Sequence, residues 1–69
     1  MVDTQMLEEL IADTGIKKTY LARQIGISVQ NLRLKIQNKS DFKSNEVAIL
    51  CRELGITRLT DKEKIFFKM

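Results

Sequence analysis

Gly26 is the residue that most restricts what this chain can become. It interrupts the stretch KTYLARQIGISVQNLRLKIQN, residues 18–38, just after Leu21, Ala22 and Ile25 have recurred at helical spacing, and Ser28 restarts the pattern as an N-cap. A helix ending at Ile25 needs a left-handed residue next, a backbone state that glycine adopts at almost no cost. The stretch therefore reads as two short helices joined by a tight turn, a helix-turn-helix.

The second of these helices carries the chemistry. At about 100° per residue, with Leu32 set at zero, Ile36 falls near 40° and Val29 near 60°, so these three make a narrow apolar stripe that should face the core. Arg33, Gln37, Gln30 and Leu34 fall between roughly 100° and 200°, a row of guanidinium and amide groups on the opposite side. Such side chains are suited to base edges in a major groove. The protein is therefore expected to bind double-stranded DNA.

Charge is distributed in agreement with that expectation. Residues 1–14 sum to −4 through Asp3, Glu8, Glu9 and Asp13, whereas residues 15–43 sum to +6 through seven Lys and Arg against Asp41 alone, and residues 44–69 sum to +1. The positive field thus falls on the helix-turn-helix, where phosphate neutralisation would use it.

The other limits are set by composition. Sixty-nine residues, 43% of them hydrophobic, with no proline and three glycines, fit one mostly helical domain over residues 1–69, near the lower size limit for folding by burial alone. One cysteine and no histidine leave neither a disulfide framework nor a zinc site, and no cofactor or small-molecule ligand is implied. No apolar run reaches the ~18 residues of a membrane span, and the acidic start is unlike a secretion signal, so a cytoplasmic protein without membrane contact is expected. There is no histidine, no thiol with a base partner and no phosphate-binding glycine loop, and an enzyme is not expected.

Around the motif, the first helix is expected from Thr4 to Thr14, capped by Asp3 or Thr4 and stopped by Gly15. Leu7, Leu10, Ile11 and Thr14 share its inner face. Glu8, Glu9 and Asp13 point away from that face, as a solvated surface or a partner site. Because they would repel phosphate, they are expected off the DNA-binding surface. Lys17, Lys18 and Thr19 open the second helix, whose unpaired amides and positive dipole end favour a phosphate. Tyr20 reads as partly packed or as a base-stacking ring. After the third helix, Asn38 is expected to take the left-handed position and Phe42 to plug the following loop into the core. Ser44 should cap a fourth helix with Val47, Leu50, Cys51 and Leu54 on one face, Cys51 acting as a small hydrophobe rather than a redox group. Thr60-Asp61-Lys62-Glu63 matches a capping box and should start a fifth helix running through Ile65, Phe66 and Phe67. Adjacent aromatics lie about 100° apart on a helix, so one should pack inward and the other outward. Phe66 and Phe67 are accordingly candidates for a dimer contact or for closing the core.

The stretch GIKKTYLARQIGISVQNLRLKIQNK resembles the helix-turn-helix of the phage Cro and repressor type, the xenobiotic-response-element family of bacterial regulators. The matching features are Leu21-Ala22, Ile25-Gly26, Ile27-Ser28 and Leu32, followed by the Leu54-Gly55-Ile56 ending of the fourth helix, so that residues 4–57 are covered. The resemblance implies a compact four- to five-helix, all-α bundle that binds operator DNA as a homodimer. On it, Val29, Gln30, Arg33 and Leu34 face bases, Lys18 meets a phosphate, and Asn38, Lys39 and Lys43 lie in the loop that touches the backbone. The residues themselves add Asn31 to the base-reading set, and Lys17 and Thr19 at the start of the second helix with Ser28 and Gln37 at the ends of the third to the phosphate set. Asn31 could contact a base or simply continue the first turn, and Leu34 could meet a thymine methyl or remain solvated. Two positions depart from the family pattern. Lys35 stands where an apolar core residue is usual, with Ile36 beside it taking over that role, and Val29 replaces a polar base reader.

The function expected is that of a sequence-specific transcriptional regulator, a Cro-like phage or prophage repressor on a palindromic operator. The rival is a protein-binding adaptor, an antitoxin or anti-repressor that uses Leu34 and an exposed Phe66 or Phe67 as anchors on the same fold.

Overall fold

Apolar residues at helical spacing, separated by residues able to reverse the chain, produce five helices: α1 Thr4–Thr14, α2 Lys18–Ile25, α3 Val29–Ile36, α4 Ser44–Leu54 and α5 Leu59–Phe66. The computed structural model describes residues 1–67, and no strand occurs among the described residues. The all-α bundle expected from the sequence is the fold observed.

Each junction has a local cause. Asp3 is the cap of α1, its carboxylate accepting from the Met6 N–H at 3.1 Å, and Thr4 is the first helical residue. Gly26 lies at φ 88°, and its N–H and that of Ile27 both donate to the Ala22 carbonyl, at 2.9 and 3.0 Å. Ser28 Oγ then accepts from the Asn31 N–H at 3.1 Å and starts α3. Asn38, at φ 62°, is the one non-glycine residue with positive φ among the described residues, as the sequence suggested; the Lys39 N–H closes the turn on the Leu34 carbonyl at 2.9 Å.

Two caps differ from expectation. Ser44 is the first residue of α4 rather than its cap: the cap is Lys43, and Glu46 supplies the side-chain acceptor by reaching back to the Lys43 N–H at 2.8 Å. Thr60 lies inside α5. That helix starts at Leu59 after Arg58, because the Lys62 N–H closes the first turn on the Arg58 carbonyl at 3.1 Å, and no side chain caps it.

The core draws on every helix: Leu7 and Ile11, Leu21 and Ala22, Leu32 and Ile36, Leu50, Cys51 and Leu54, Ile65 and Phe66, with Val2 and Ile56 from the connections. α2 packs on α3 and α4, while α1 packs on α3, α4 and α5. Phe42 plugs its loop as expected, meeting Phe66 edge to face at a centroid distance of 5.9 Å. Cys51 packs in the core, where burial pushes its thiol pKa up and leaves it a poor nucleophile.

Two polar arrangements hold the motif in place, and the sequence disclosed neither. Lys35 is buried together with Ile36, and its Nζ donates to Glu46 Oε1 at 2.5 Å. Ile36 takes the apolar core role expected of it, but Lys35 is buried beside it instead of facing outward; the two flank Leu32 on the inner side of α3, and Lys35 is tolerated there because α4 supplies a carboxylate. Burial pushes the Glu46 carboxyl up, but hydrogen bonds from Lys35 and the Lys43 N–H and the charges of both lysines outweigh it, and the net pKa lies below the ordinary value. The second arrangement involves Asn38, whose side chain pairs with both backbone groups of Val2. Oδ1 accepts from the Val2 N–H at 2.8 Å, and Nδ2 donates to the Val2 carbonyl at 2.9 Å. With the Thr4 hydroxyl on the Ile36 carbonyl (2.6 Å) and the Asp3 N–H on the Ile65 carbonyl (2.6 Å), the N-terminal segment ties the end of α3 to α5.

Candidate nucleic-acid interface

Burying Leu32, Lys35 and Ile36 decides which side of α3 faces outward. Gln30, Asn31, Arg33 and Gln37 are exposed, and their side chains make no hydrogen bond or ion pair among the described residues. Two amides on this face, Gln30 and Asn31, can each offer a donor and an acceptor to adenine, and the Arg33 guanidinium can donate twice to guanine or reach a phosphate. Val29 is half-buried and packs against the core, in keeping with its place at the edge of the apolar stripe. Leu34 is half-buried as well, so it stands neither in the core nor fully in water. Asn31 donates its backbone N–H to Ser28 and keeps its side chain outside.

The residues assigned to phosphate fall into two groups. Lys17, Thr19, Ser28, Gln37, Lys39 and Lys43 are exposed. The Ser28 oxygen is engaged as an acceptor, which leaves its O–H free to donate. Asn38 and Lys18 already have partners in the fold. The Asn38 amide is committed to Val2, with Nδ2 also 3.3 Å from Thr4 Oγ1, so its side chain has no donor left for a phosphate. Lys18 is half-buried and its Nζ lies 2.8 and 3.0 Å from the two carboxylate oxygens of Glu8.

One expectation about charge is thereby corrected: Lys35, one of the seven cations in the positive field of the motif, is neutralised inside the protein by Glu46 and contributes little outward. The acidic side of α1 divides. Glu9 and Asp13 are exposed, but Glu8 lines, with Lys18, Arg33, Gln37 and Ile36, a recess of about 320 Å³ where α1, α2 and α3 meet. Of the seven cations of residues 15–43, Lys17, Arg23, Arg33, Lys39 and Lys43 are exposed.

Elsewhere, Tyr20 is partly packed, at 44% exposure, and the adjoining Glu53 carboxylate on α4 raises the phenol pKa. Of the two aromatics at the end of α5, Phe66 is buried at 3% exposure and closes the core, which removes it as a surface dimer contact; Phe67 stands outward at 61%. No helix among the described residues is long and apolar enough to cross a membrane.

A comparison with protein families agrees with a two-helix motif at the centre of the chain. The Cro/C1-type helix-turn-helix DNA-binding domain matches residues 6–61, from the first turn of α1 into the start of α5. No curated protein and no solved structure matches the chain. On its fold, its motif and the extent of that match, the chain belongs to the Cro/C1-type helix-turn-helix DNA-binding domains.

Proposed function

We propose that this protein is a sequence-specific transcriptional regulator, a Cro-like phage or prophage repressor that occupies a palindromic operator as a homodimer in the bacterial cytoplasm. The observation that carries the reading is the outer face of α3. Gln30, Asn31, Arg33 and Gln37 have no partner among the described residues, whereas Lys35 on the inner face is paired. Free amides beside a guanidinium on an exposed helix match the donor and acceptor pattern of a major groove. Gln30, Asn31 and Arg33 read bases in this account, with Val29 and Leu34 offering apolar contact to thymine methyls. Lys17, Lys18, Thr19, Ser28, Gln37, Lys39 and Lys43 hold the backbone on either side.

Dimerisation follows from the number of contacts. One short recognition helix makes too few for tight specific binding, and a two-fold pair would reach successive major grooves about 34–36 Å apart. Phe67 is the outward aromatic available to such a pair. Selection of bound sites from random duplex DNA, with the stoichiometry measured on the winning sequence, tests partner, specificity and symmetry together. A symmetric site bound by two chains supports the reading. Protection of a single asymmetric half-site at saturation refutes the dimer, and no enrichment at low ionic strength refutes the regulator.

The exposure of Phe67, at 61%, favours one second reading, a protein-binding adaptor on the same fold. DNA affinity that falls steeply with salt supports the regulator. Salt-insensitive capture of a protein partner, abolished by Phe67→Ala, supports the adaptor.

A further inference from the structure

Glu8 is an acidic side chain that the fold brings among residues facing the duplex in the proposed function. Its Oε1 lies 2.8 Å and its Oε2 3.0 Å from Lys18 Nζ, so both carboxylate oxygens are turned to one ammonium. Lys18, Arg33 and Gln37 line the same recess of about 320 Å³. Without the carboxylate, the recess would hold two cations and an amide donor around space ample for a phosphate group. The pair adds little to the fold, because its side chains are 30% and 43% exposed and water competes for both ions. Its larger effect falls on any other anion that approaches Lys18.

We propose that Glu8 is an internal counter-anion: it holds the place on Lys18 that a DNA backbone phosphodiester takes, and duplex binding exchanges one anion for the other. The inference rests on the regulator reading. It adds that affinity is held down from within, on every sequence alike, since a contact to phosphate carries no base information. Lys18 is then a conditional phosphate ligand, whereas Lys17 and Lys39, exposed and without a carboxylate partner, are available at once.

The test is the Glu8→Gln variant, with Glu9→Gln as its control. Glu9 is the neighbouring carboxylate, exposed and paired with Gln5 at 3.3 Å, and its replacement changes net charge equally. Affinities are measured at low ionic strength for the selected duplex and for a scrambled one. Glu8→Gln should tighten both by about two- to fivefold per recognition helix, with their ratio unchanged and with Glu9→Gln giving a smaller gain. In a Lys18→Ala background the gain should shrink to that of Glu9→Gln. Equal gains for the two variants, or a full gain without Lys18, overturn the exchange. A second readout needs no DNA: inorganic phosphate titrated against the Lys18, Thr19 and Arg33 NMR signals should saturate in Glu8→Gln and act more weakly on the parent. If no variant binds any duplex but the phosphate response differs in this way, the regulator reading falls and the anion site stands. If DNA binds and neither readout responds to Glu8→Gln, the inference falls alone.

Discussion

Replacing Glu46 with alanine should be among the most damaging single changes available outside the apolar core. Glu46 is 4% exposed and accepts from two donors, the Lys35 ammonium at 2.5 Å and the Lys43 N–H at 2.8 Å. Its loss leaves Lys35, 9% exposed, as a buried charge without its carboxylate, for which breaking a buried pair costs about 3–5 kcal/mol. The lost cap adds about 1 kcal/mol. Against this, Lys35 borders a recess of about 260 Å³ on the surface, and its flexible stem can carry the ammonium toward water. The lower end of the pair's range therefore applies, and with the cap the cost is about 4 kcal/mol, or roughly 16–32 °C in Tm for a domain of this size. A small domain has only about 5 kcal/mol in total, so the variant should be close to unfolding at 37 °C.

The assay is urea unfolding at neutral pH followed by helical circular dichroism. Its companion is the double variant Lys35→Met with Glu46→Gln, which removes both charges, keeps the volume and retains an acceptor for the Lys43 N–H. That protein should recover to within about 1 kcal/mol of the parent. Acid provides an independent check. The folded-state pKa of Glu46 is lowered, so the stabilisation it contributes is complete above the ordinary glutamate value of about 4.3 and is lost as pH falls through the lower folded value. The double variant should lose this part of the acid sensitivity. A cost below about 1 kcal/mol for Glu46→Ala, or a double variant as unstable as the single one, would refute the reasoning.

Three further outcomes are expected. Gln30→Ala should relax preference at one base pair by about 1–3 kcal/mol, whereas Lys17→Ala should weaken all duplexes alike and reduce the salt slope by about one contact; uniform loss for Gln30→Ala removes it from the reading set. Asn38→Gly keeps the left-handed turn but deletes the two hydrogen bonds to Val2, so it should cost about 1–2 kcal/mol and speed exchange of the Val2 amide, and a variant at least as stable as the parent would show that the clamp contributes nothing. Gly26→Ala meets no atom within 4 Å, so its cost should be the backbone strain alone at φ 88°, about 1–2 kcal/mol in urea, and a much larger loss would place the constraint in packing instead.

The legible part of this protein was local. Gly26, Ser28 and Asn38 act through their own dihedrals and through bonds to residues close in the chain, so the turn and both ends of α3 could be located from residue types and spacing. The same periodicity separated Leu32 and Ile36 from Gln30 and Arg33, which is why the exposed face of α3 agrees with the candidate base readers. A wheel gives a direction and no partner. It places Lys35 about 60° from Leu32, on the side away from Val29 and already within the buried half, yet a lysine there can be buried only if a carboxylate arrives from elsewhere.

That carboxylate is eleven residues away in α4, the Glu8 partner of Lys18 is ten residues away in α1, and Asn38 and Val2 are separated by thirty-six. Each pairing depends on how whole helices are set against one another, and the packing of the apolar faces settles that placement. The chain by itself determined the order of the helices and the bounds of the first, which face of each is apolar, and that a basic helix-turn-helix lies at its centre. Only the tertiary structure decided which cations are neutralised within the fold and which remain for DNA, because charges on different helices interact through distances that burial of the core sets.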